Sequence, residues 1–539
     1  MKKAVLLIFL VLALYSTAAE INFSEGMKSL AVELGKDYSN NSTVVAIIPF
    51  SKFTGEENQF GSIISEELTT ELFKTKKFSV VERAMLDKIV KENKLALEGI
   101  VDLKSASEIG KITGAAAVCT GTFTDMDGYI KINARMIDSK SGKITAVASV
   151  QIKKEQYIAK MIDVNYKIEN TGSKEENNVS NDGNTAEDND SELFKLLKDA
   201  SDSNMSYAQF KLGTMYFNGE GVEVNYDEAY KWFKKAANQE HVTAISWLGY
   251  MEMYGYGRDI NYKEAKKQFE LAASYNDGYS QNKLGLIYYE GHGVTIDYKK
   301  AYEWFLKGAN NGNSEAMSWV GYLYEVGEGV GQDYKKALSW YQKGADLLDD
   351  YCEEKMGEMY YNGYGVKQDN KKAYEWFVKG ADHGNIKAYS WLGYMYKEGI
   401  YVKKDVDTAL EYFKKAVDGE DSYSMRSMAE IYYSDTDGKK DYEQALVYYE
   451  MAAEAGDVNA MSWCGYMYRY GEGSEINYKK AYEWFKKAVD NNDAYSNYML
   501  GDIYENGMGD IKQDNKKAQS YYKKAAELGY EDAKNKIIQ

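Results

Sequence analysis

From Ser206 onward one glycine returns every 36 residues: Gly213, Gly249, Gly285, Gly321, Gly357, Gly393, Ala429 in its place once, then Gly465 and Gly501. Six positions further on stands a second glycine (Gly219, Gly255, Gly291, Gly327, Gly363, Gly399, Gly471, Gly507), and a third usually follows two after that. An alanine recurs with the same step, from Ala229 to Ala481, and again at Ala518 after one inserted residue. A register kept through nine copies means a stack of identical supersecondary units. Within one unit, Ala208, Leu212, Met215 and Tyr216 fall at helical spacing and form a first helix. Gly219 and Gly221 end it by allowing positive φ. A second helix starts near Tyr226, with Ala229, Trp232, Phe233, Ala236 and Ala237 on one side and lysines outside. Neither helix buries its face alone, so the units must stack into an all-α solenoid, ending in a cap helix at Ala533 and Ile537. Leu193 to Leu197 is a candidate cap at the other end.

Composition follows from this register. Of 50 tyrosines only five precede Ser206, and the chain has a single proline in 539 residues. The net charge of -17 and the pI near 5.0 exclude a nucleic-acid binder, which needs basic surface against phosphates. Hydrophobic content of 44% excludes wholesale disorder.

Ahead of the repeats, Lys2 and Lys3 precede an apolar run, Ala4 to Tyr15, followed by Ser16, Thr17, Ala18 and Ala19. This is the pattern of a cleaved signal peptide over residues 1–19, too short to span a bilayer. The mature chain is then expected outside the cytoplasm without a transmembrane helix. Residues 40–160 read as an α/β domain. Strands are expected at Val44–Phe50, Phe78–Val81, Ala116–Phe123, Tyr129–Ile137 and Lys143–Ile152. Helices are expected over Ile63–Phe73, Ala84–Leu97 and Leu103–Ile112. Asp127-Gly128 and Ser141-Gly142 are hairpin turns, and the order gives a mixed sheet with helices on one face or both. Residues 165–190 are polar and acidic and read as a disordered linker that lets the two halves move independently. The fold class is therefore multidomain: an α/β domain, then a solenoid of nine helix pairs over 206–539.

The columns A-x3-LG-x-MY-x2-G-x-GV and DY-x-KA-x2-W(F/Y)-x-KAA resemble the Sel-one-like repeat, a relative of the tetratricopeptide repeat. One unit shows them in Ala316, Gly321, Tyr324, Gly327, Gly329, Val330, Asp333, Tyr334, Lys336, Ala337, Trp340 and Tyr341. The seventh unit departs, with Ala429 for the first glycine and Asp435 and Asp437 for the loop pair, so its loop is expected to bend the stack. The resemblance implies an adaptor that holds other proteins and has no catalytic columns. The first domain is similar to CsgG-like and FlgO-like envelope domains through Val45–Phe50, Phe78–Arg83 with Leu86, Glu92, the Gly110–Gly114 segment, Gly121, and Ala134–Asp138 with Gly142. The long membrane hairpins and acylated cysteine of secretion-channel members are absent. That resemblance implies a docking or self-associating envelope domain.

A second period lies inside the first. Trp247, Trp319, Trp391 and Trp463 recur every 72 residues in Ser-Trp-x-Gly-Tyr, accompanied by Tyr250, Tyr322, Tyr394 and Tyr466. Two readings stand: an aromatic ladder along a partner-binding groove, or inter-unit packing copied when a two-repeat segment duplicated. The glycine pairs follow a helix and lack the dinucleotide fingerprint, so they are helix stops. His241, His292 and His383 lie in different units, which argues against a metal or catalytic set. Cys352 falls in a small-residue column and Cys464 in a Leu/Met column, three units apart and too far to bridge, and both read as core, as does Cys119 in an apolar strand run. No cofactor is expected, and no enzyme.

The resulting expectation is an exported scaffold of the cell envelope, periplasmic or associated with the outer membrane or cell surface. It holds an envelope protein along its repeats and docks or self-associates through its first domain. The alternatives are a component of a secretion or surface-appendage apparatus, or a cell-wall glycan-binding protein.

Overall fold

The computed structural model describes residues 21–38, 43–54, 59–81, 83–92, 103–163, 186–202, 205–434 and 436–537. The expected leader, the end of the expected Ala84–Leu97 helix and most of the expected linker lie outside them. The chain forms two compact units, residues 1–349 and 350–539.

The first unit begins with helix α1 (Phe23–Leu34), whose start is fixed by a capping box between Asn22 and Glu25. Six strands follow, β1 (Thr43–Ile47), β2 (Ser51–Lys52), β3 (Phe78–Val80), β4 (Ala117–Met126), β5 (Tyr129–Asp138) and β6 (Ile144–Lys153). Their order is β3-β1-β4-β5-β6, with β2 beside β4. Pairing is parallel among β3, β1, β4 and β2, and antiparallel from β4 through β6. Helices α2 (Gln59–Lys74), α3 (Arg83–Glu92), α4 (Leu103–Thr113) and α5 (Gln156–Asp163) complete the domain. Strand β1 explains the two-sided cover. Val45 and Ile47 enter the core built on α1 and α2, while Ala46 and Ile48 enter a second core on α3 and α4. The expected mixed sheet is therefore present, with helices on both faces. Sequence reasoning missed α1, α5 and β2. The Phe23, Met27, Leu30, Ala31, Leu34 spacing was a legible signal for α1; β2 is two residues long and carries none.

Helix α6 (Ala186–Asp202) starts inside the segment expected as linker and fills the expected cap position, burying Leu193, Leu196, Leu197 and Ala200. Each repeat then supplies two helices, the first repeat α7 (Ser206–Asn218) and α8 (Tyr226–Ala237). The recurring glycine of each first helix faces a ring of the second helix. A Cβ built on Gly285 would lie 2.5 Å from Phe305, and one on Gly321 2.5 Å from Tyr341. Glycine thus leaves room for the aromatic ring on which the two helices close, although the seventh repeat holds Ala429 in this column and shares a core with Tyr449. The next glycine ends the helix in the left-handed region, as at Gly255 (φ 75).

The third glycine has a cross-repeat reason. A Cβ on Gly329 would meet the carbonyl oxygen of Tyr298 at 2.1 Å, and one on Gly473 that of Tyr442 at 2.1 Å. Each partner is the tyrosine that opens the second helix of the preceding repeat. Where that column holds Asn370 or Val406, the glycine is replaced by Tyr401 and Asp437, both still at positive φ. The seventh repeat therefore keeps its fold. Its loop makes a short 3-10 turn, Thr436–Gly438, and its second helix resumes at Tyr442, 36 residues after the start of the preceding one. After the ninth repeat, a short helix Glu531–Lys534 buries Ala533, and Ile537 packs near Tyr504 and Tyr522.

The halves of the first unit are not independent, contrary to the linker reading. One core cluster runs from Phe23 and Phe60 through Leu197 to Met205, Leu212 and Trp232. Along its edge, successive residues of the α/β domain meet successive repeats. Glu67 reaches the start of α7, Phe73 packs with Val242 and Ile245, and Lys76 lies over Tyr275 at 5.1 Å. Ser79 Oγ donates to Asn311 Oδ1 at 2.7 Å, and Lys88 Nζ to the Leu348 carbonyl at 2.8 Å. A polar linker between two ends cannot reveal that the ends are complementary; only the packed surfaces do.

Candidate functional site

The eight ladder residues sit on the first helices of the even-numbered repeats: Val242–Tyr254, Ser314–Val326, Ile386–Glu398 and Val458–Tyr470. All eight are half-buried. Each indole stacks on a ring from the second helix of the preceding repeat. Trp247 lies on Phe233 (5.3 Å, 24°), Trp319 on Phe305 (5.1 Å, 5°), Trp391 on Phe377 (5.1 Å, 7°) and Trp463 on Tyr449 (5.5 Å, 9°). The accompanying tyrosine meets its own indole edge-on, at 5.5 to 5.9 Å. These are favoured aromatic geometries. One indole face is thus spent on inter-repeat packing, and the remaining surface is partly open.

The 72-residue period has a matching polar half. The serine before three of the tryptophans, Ser246, Ser390 and Ser462, faces the following repeat, while Ser318 Oγ donates to the Glu315 carbonyl of its own helix at 2.7 Å. Ser246 Oγ donates to Asp277 Oδ2 at 2.8 Å and lies 2.8 Å from Ser280 Oγ. Ser462 repeats this with Asp493 (2.9 Å) and Ser496 (2.8 Å), and Ser390 with Asp421 and Ser424. Stacked rings therefore join odd repeats to the even repeats after them, and a buried Ser-Asp-Ser set joins the second, sixth and eighth repeats to the ones after them. Burial raises the Asp277 carboxyl above its usual value. At Asp421 burial pushes the same way, but bonds from Lys387, Ser390 and Ser424 outweigh it and the carboxyl falls. Sequence reasoning saw Ser-Trp as a motif but gave the serine no role; its cue was an aspartate helix cap 31 residues on.

The open part of the face carries tyrosines interleaved with carboxylates. Tyr254 is 45% exposed and lies 4.7 Å from the Tyr250 ring. Burial of its inner part and the nearby Glu315 and Glu290 charges raise its phenol. Tyr289 stands against Trp319 and donates to Glu328 at 3.0 Å. In the second unit, a cavity of about 530 Å³ is lined by Tyr396, Val402, Lys404, Asp407, Asp437 and Lys439, beside the irregular seventh repeat.

Each of the three histidines has its own local contacts. His241 caps a helix, His292 stacks on Tyr262 at 4.4 Å, and His383 Nδ1 lies 2.6 Å from Glu353. Cys119, Cys352 and Cys464 are all buried, and burial pushes the Cys119 thiol up to about 12. Among the described residues no group of His, Cys, Asp and Glu is placed to hold a metal ion, and no helix is long and apolar enough to cross a membrane.

The comparisons bear on this geometry. The Sel1 repeat family model matches nine successive segments, 206–241, 242–276, 278–313, 314–347, 351–385, 386–421, 422–457, 458–493 and 494–530. The chain belongs to the Sel1 repeat family. Residues 15–128 match the family described as curli production assembly/transport component CsgG. A crystal structure of c5321, a protective antigen present in uropathogenic Escherichia coli strains displaying an SLR fold, is 35% identical. It covers 63% of this chain and 72% of that chain at a TM-score of 0.50. A Sel1 repeat protein from Oxalobacter formigenes is 31% identical over 46% of this chain and 98% of that chain, at a TM-score of 0.42. The LpoB C-terminal domain from Escherichia coli is 16% identical over 24% of this chain and 98% of that chain, at a TM-score of 0.22. A comparison with curated proteins finds no match. This is a Sel1 repeat protein with a CsgG-family domain, and its repeats are of the type that serves protein-protein interaction.

Proposed function

We propose that this Sel1 repeat protein is an exported, non-enzymatic scaffold of the cell envelope. Its repeats hold a protein partner on the first-helix face that carries Trp247, Tyr250, Trp319, Tyr322, Trp391, Tyr394, Trp463 and Tyr466. The carrying observation is that these rings are fixed by stacking on one side and half-open on the other. A ring already held in place loses little rotamer freedom when a partner covers it. The CsgG-family domain and the signal-like first residues support an envelope location. That domain engages its own repeats through Glu67 to Lys88, which leaves its other surfaces for docking or self-association.

Because the domain and the first repeat share a core, the test uses the whole mature chain. A photo-crosslinking residue in place of Tyr322 is irradiated in envelope extract, with and without prior protease digestion. A discrete adduct that protease abolishes is expected. Adducts that survive digestion point to glycan and overturn the protein-partner reading. The same chain is sized in solution: a defined ring or higher oligomer instead supports membership of a secretion or appendage apparatus.

A further inference from the structure

We infer that strand β6 of the CsgG-family domain pairs antiparallel with β6 of a second copy, about a two-fold axis at Ser149. This rests on the self-association of that domain in the reading above and names its surface and symmetry; it is independent of the partner face on the repeats. The sheet has two edges, β3 and β6. The repeats close the β3 edge, where Ser79 bonds to Asn311 in a buried contact. On the β6 edge, the Lys153 N–H turns away from β5 and donates to the Ile21 carbonyl at 3.0 Å. Backbone groups alternate sides along a strand, so Val147, Ser149 and Gln151 also turn N–H and C=O outward. Among the described residues no strand lies on that side. Natural sheets blunt an open edge with charge, proline or a bulge. Here the register slip between Met136 and Ile137 interrupts the edge near Thr145, and Ile21 closes it at Lys153. Between them stands no charge and no proline, and Val147 is 67% exposed.

A second copy is the occupant because the strand complements itself. With Ser149 opposite Ser149 of the copy, Ala146 faces Ile152 and Ala148 faces Val150 on the buried side. Each such pair sets a small side chain against a branched one. On the open side Val147 meets Gln151, and Lys153 meets Thr145, so no like charges oppose one another. The neighbouring registers are poorer: one sets Ala148 against itself and leaves a gap, the other sets Val150 against itself. Helix α1 obeys the same axis. It runs beneath β6, with Gly26 set against Ile152 and Val150, and the Tyr38 hydroxyl 2.7 Å from Thr145 Oγ. At about 1.5 Å per helix residue against about 3.4 Å per strand residue, Leu30 and Ala31 lie level with Ser149. The axis therefore brings the exposed Ser29 and Val32 toward the same two residues of the copy, and Val32, 54% exposed, gains cover. The surface is small, so the dimer is expected to be reversible, with Kd on the order of micromolar.

The full mature chain is sized by sedimentation across a concentration series, and cysteine is placed at two points of the edge. The parent is expected to show a monomer–dimer equilibrium. In the paired dimer the two residue-149 Cα atoms lie about 5.5 Å apart, within disulfide reach, and the two residue-147 Cα atoms about 14 Å apart. Under mild copper–phenanthroline oxidation, Ser149→Cys should give a covalent dimer and Val147→Cys should not; the native cysteines are buried. Ser149→Pro removes an outward N–H and leaves the bonds to β5 in place. It should weaken dimerisation about tenfold or more while melting as the parent does. Where the proline variant misfolds, the two cysteine variants decide. A parent that stays monomeric at every concentration overturns the β6 dimer. So does equal crosslinking of the two cysteine variants, or a well-folded Ser149→Pro that associates as the parent does. None of these results bears on the Tyr322 crosslink, so the partner face of the repeats stands or falls separately.

Discussion

The carboxylate of Glu67, in helix α2 of the CsgG-family domain, accepts a hydrogen bond from the Tyr207 backbone N–H at 2.8 Å and faces the Ser206 hydroxyl at 3.1 Å. It caps the first helix of the first repeat from 139 residues upstream. Seven of the later repeats cap themselves at this column, with His241, Asp277, Asn313, Asn385, Asp421, Asp457 and Asp493 accepting from the backbone three residues on. Only the first repeat has an apolar residue there, Met205, with no side-chain cap of its own. The domain supplies what the repeat lacks.

Glu67→Ala should therefore destabilise the first unit by about 1–3 kcal/mol, since it leaves buried donors unpaired. Adding Met205→Asp should recover part of that, because the new side chain caps locally. Urea unfolding of the two variants and the parent checks both. An unchanged midpoint for Glu67→Ala would mean that the trans cap contributes nothing.

Stability against pH should show two opposing terms at this junction. His241 is buried beside Lys74 and under the Phe210 ring, and burial, then the Lys74 charge, lower its pKa to about 3. Its folded value lies below the unfolded value near 6.5, so its contribution is present above pH 6.5 and is lost as pH falls toward 3. By pH 4 the loss should be about 3 kcal/mol. Glu67 acts the other way. Burial raises its pKa despite the Tyr207 and Ser206 bonds, so its contribution is present below its unfolded value and lost as pH rises through its folded value. His241→Asn, the residue that caps two other repeats, should flatten the acid limb between pH 6.5 and 4 in thermal melts. A limb as steep as the parent's would assign the loss to other groups.

The alternating junctions predict different mutational costs. Trp319→Ala removes a ring stacked on Phe305 and should cost about 2–3 kcal/mol, with Trp319→Phe costing less. Ser390→Ala leaves Asp421 short of a donor and should cost about 1–2 kcal/mol. Chemical denaturation separates these from a purely surface ladder, for which Trp319→Ala would leave stability unchanged.

The third glycine gives a paired test. Gly329→Ala sets a Cβ 2.1 Å from the Tyr298 carbonyl oxygen at φ 68 and should cost about 2 kcal/mol or more. Tyr401→Gly, where the preceding repeat offers Asn370 instead of tyrosine, relieves positive φ but removes a ring 5.5 Å from Tyr374. Its net effect should be under about 1 kcal/mol. Similar melting temperatures for Gly329→Ala and the parent would refute the cross-repeat reason for this glycine.

The sequence by itself determined the repeat, its 36-residue register, the mixed sheet and the 72-residue alternation, because each is written in local spacing that any helix or strand must obey. It also placed the eight aromatic residues on first helices. The tertiary structure decided what each period is for. Only packing shows that the indoles stack backward on Phe305 and its equivalents while Ser246 reaches forward to Asp277, since both partners belong to neighbouring units. Only packing joins Glu67 to Ser206, because a hydrogen bond across 139 residues leaves no periodic trace. What the sequence did hold was the gap, a methionine in a column of helix caps, and an unfilled cap is a request that a fold can answer from anywhere in the chain.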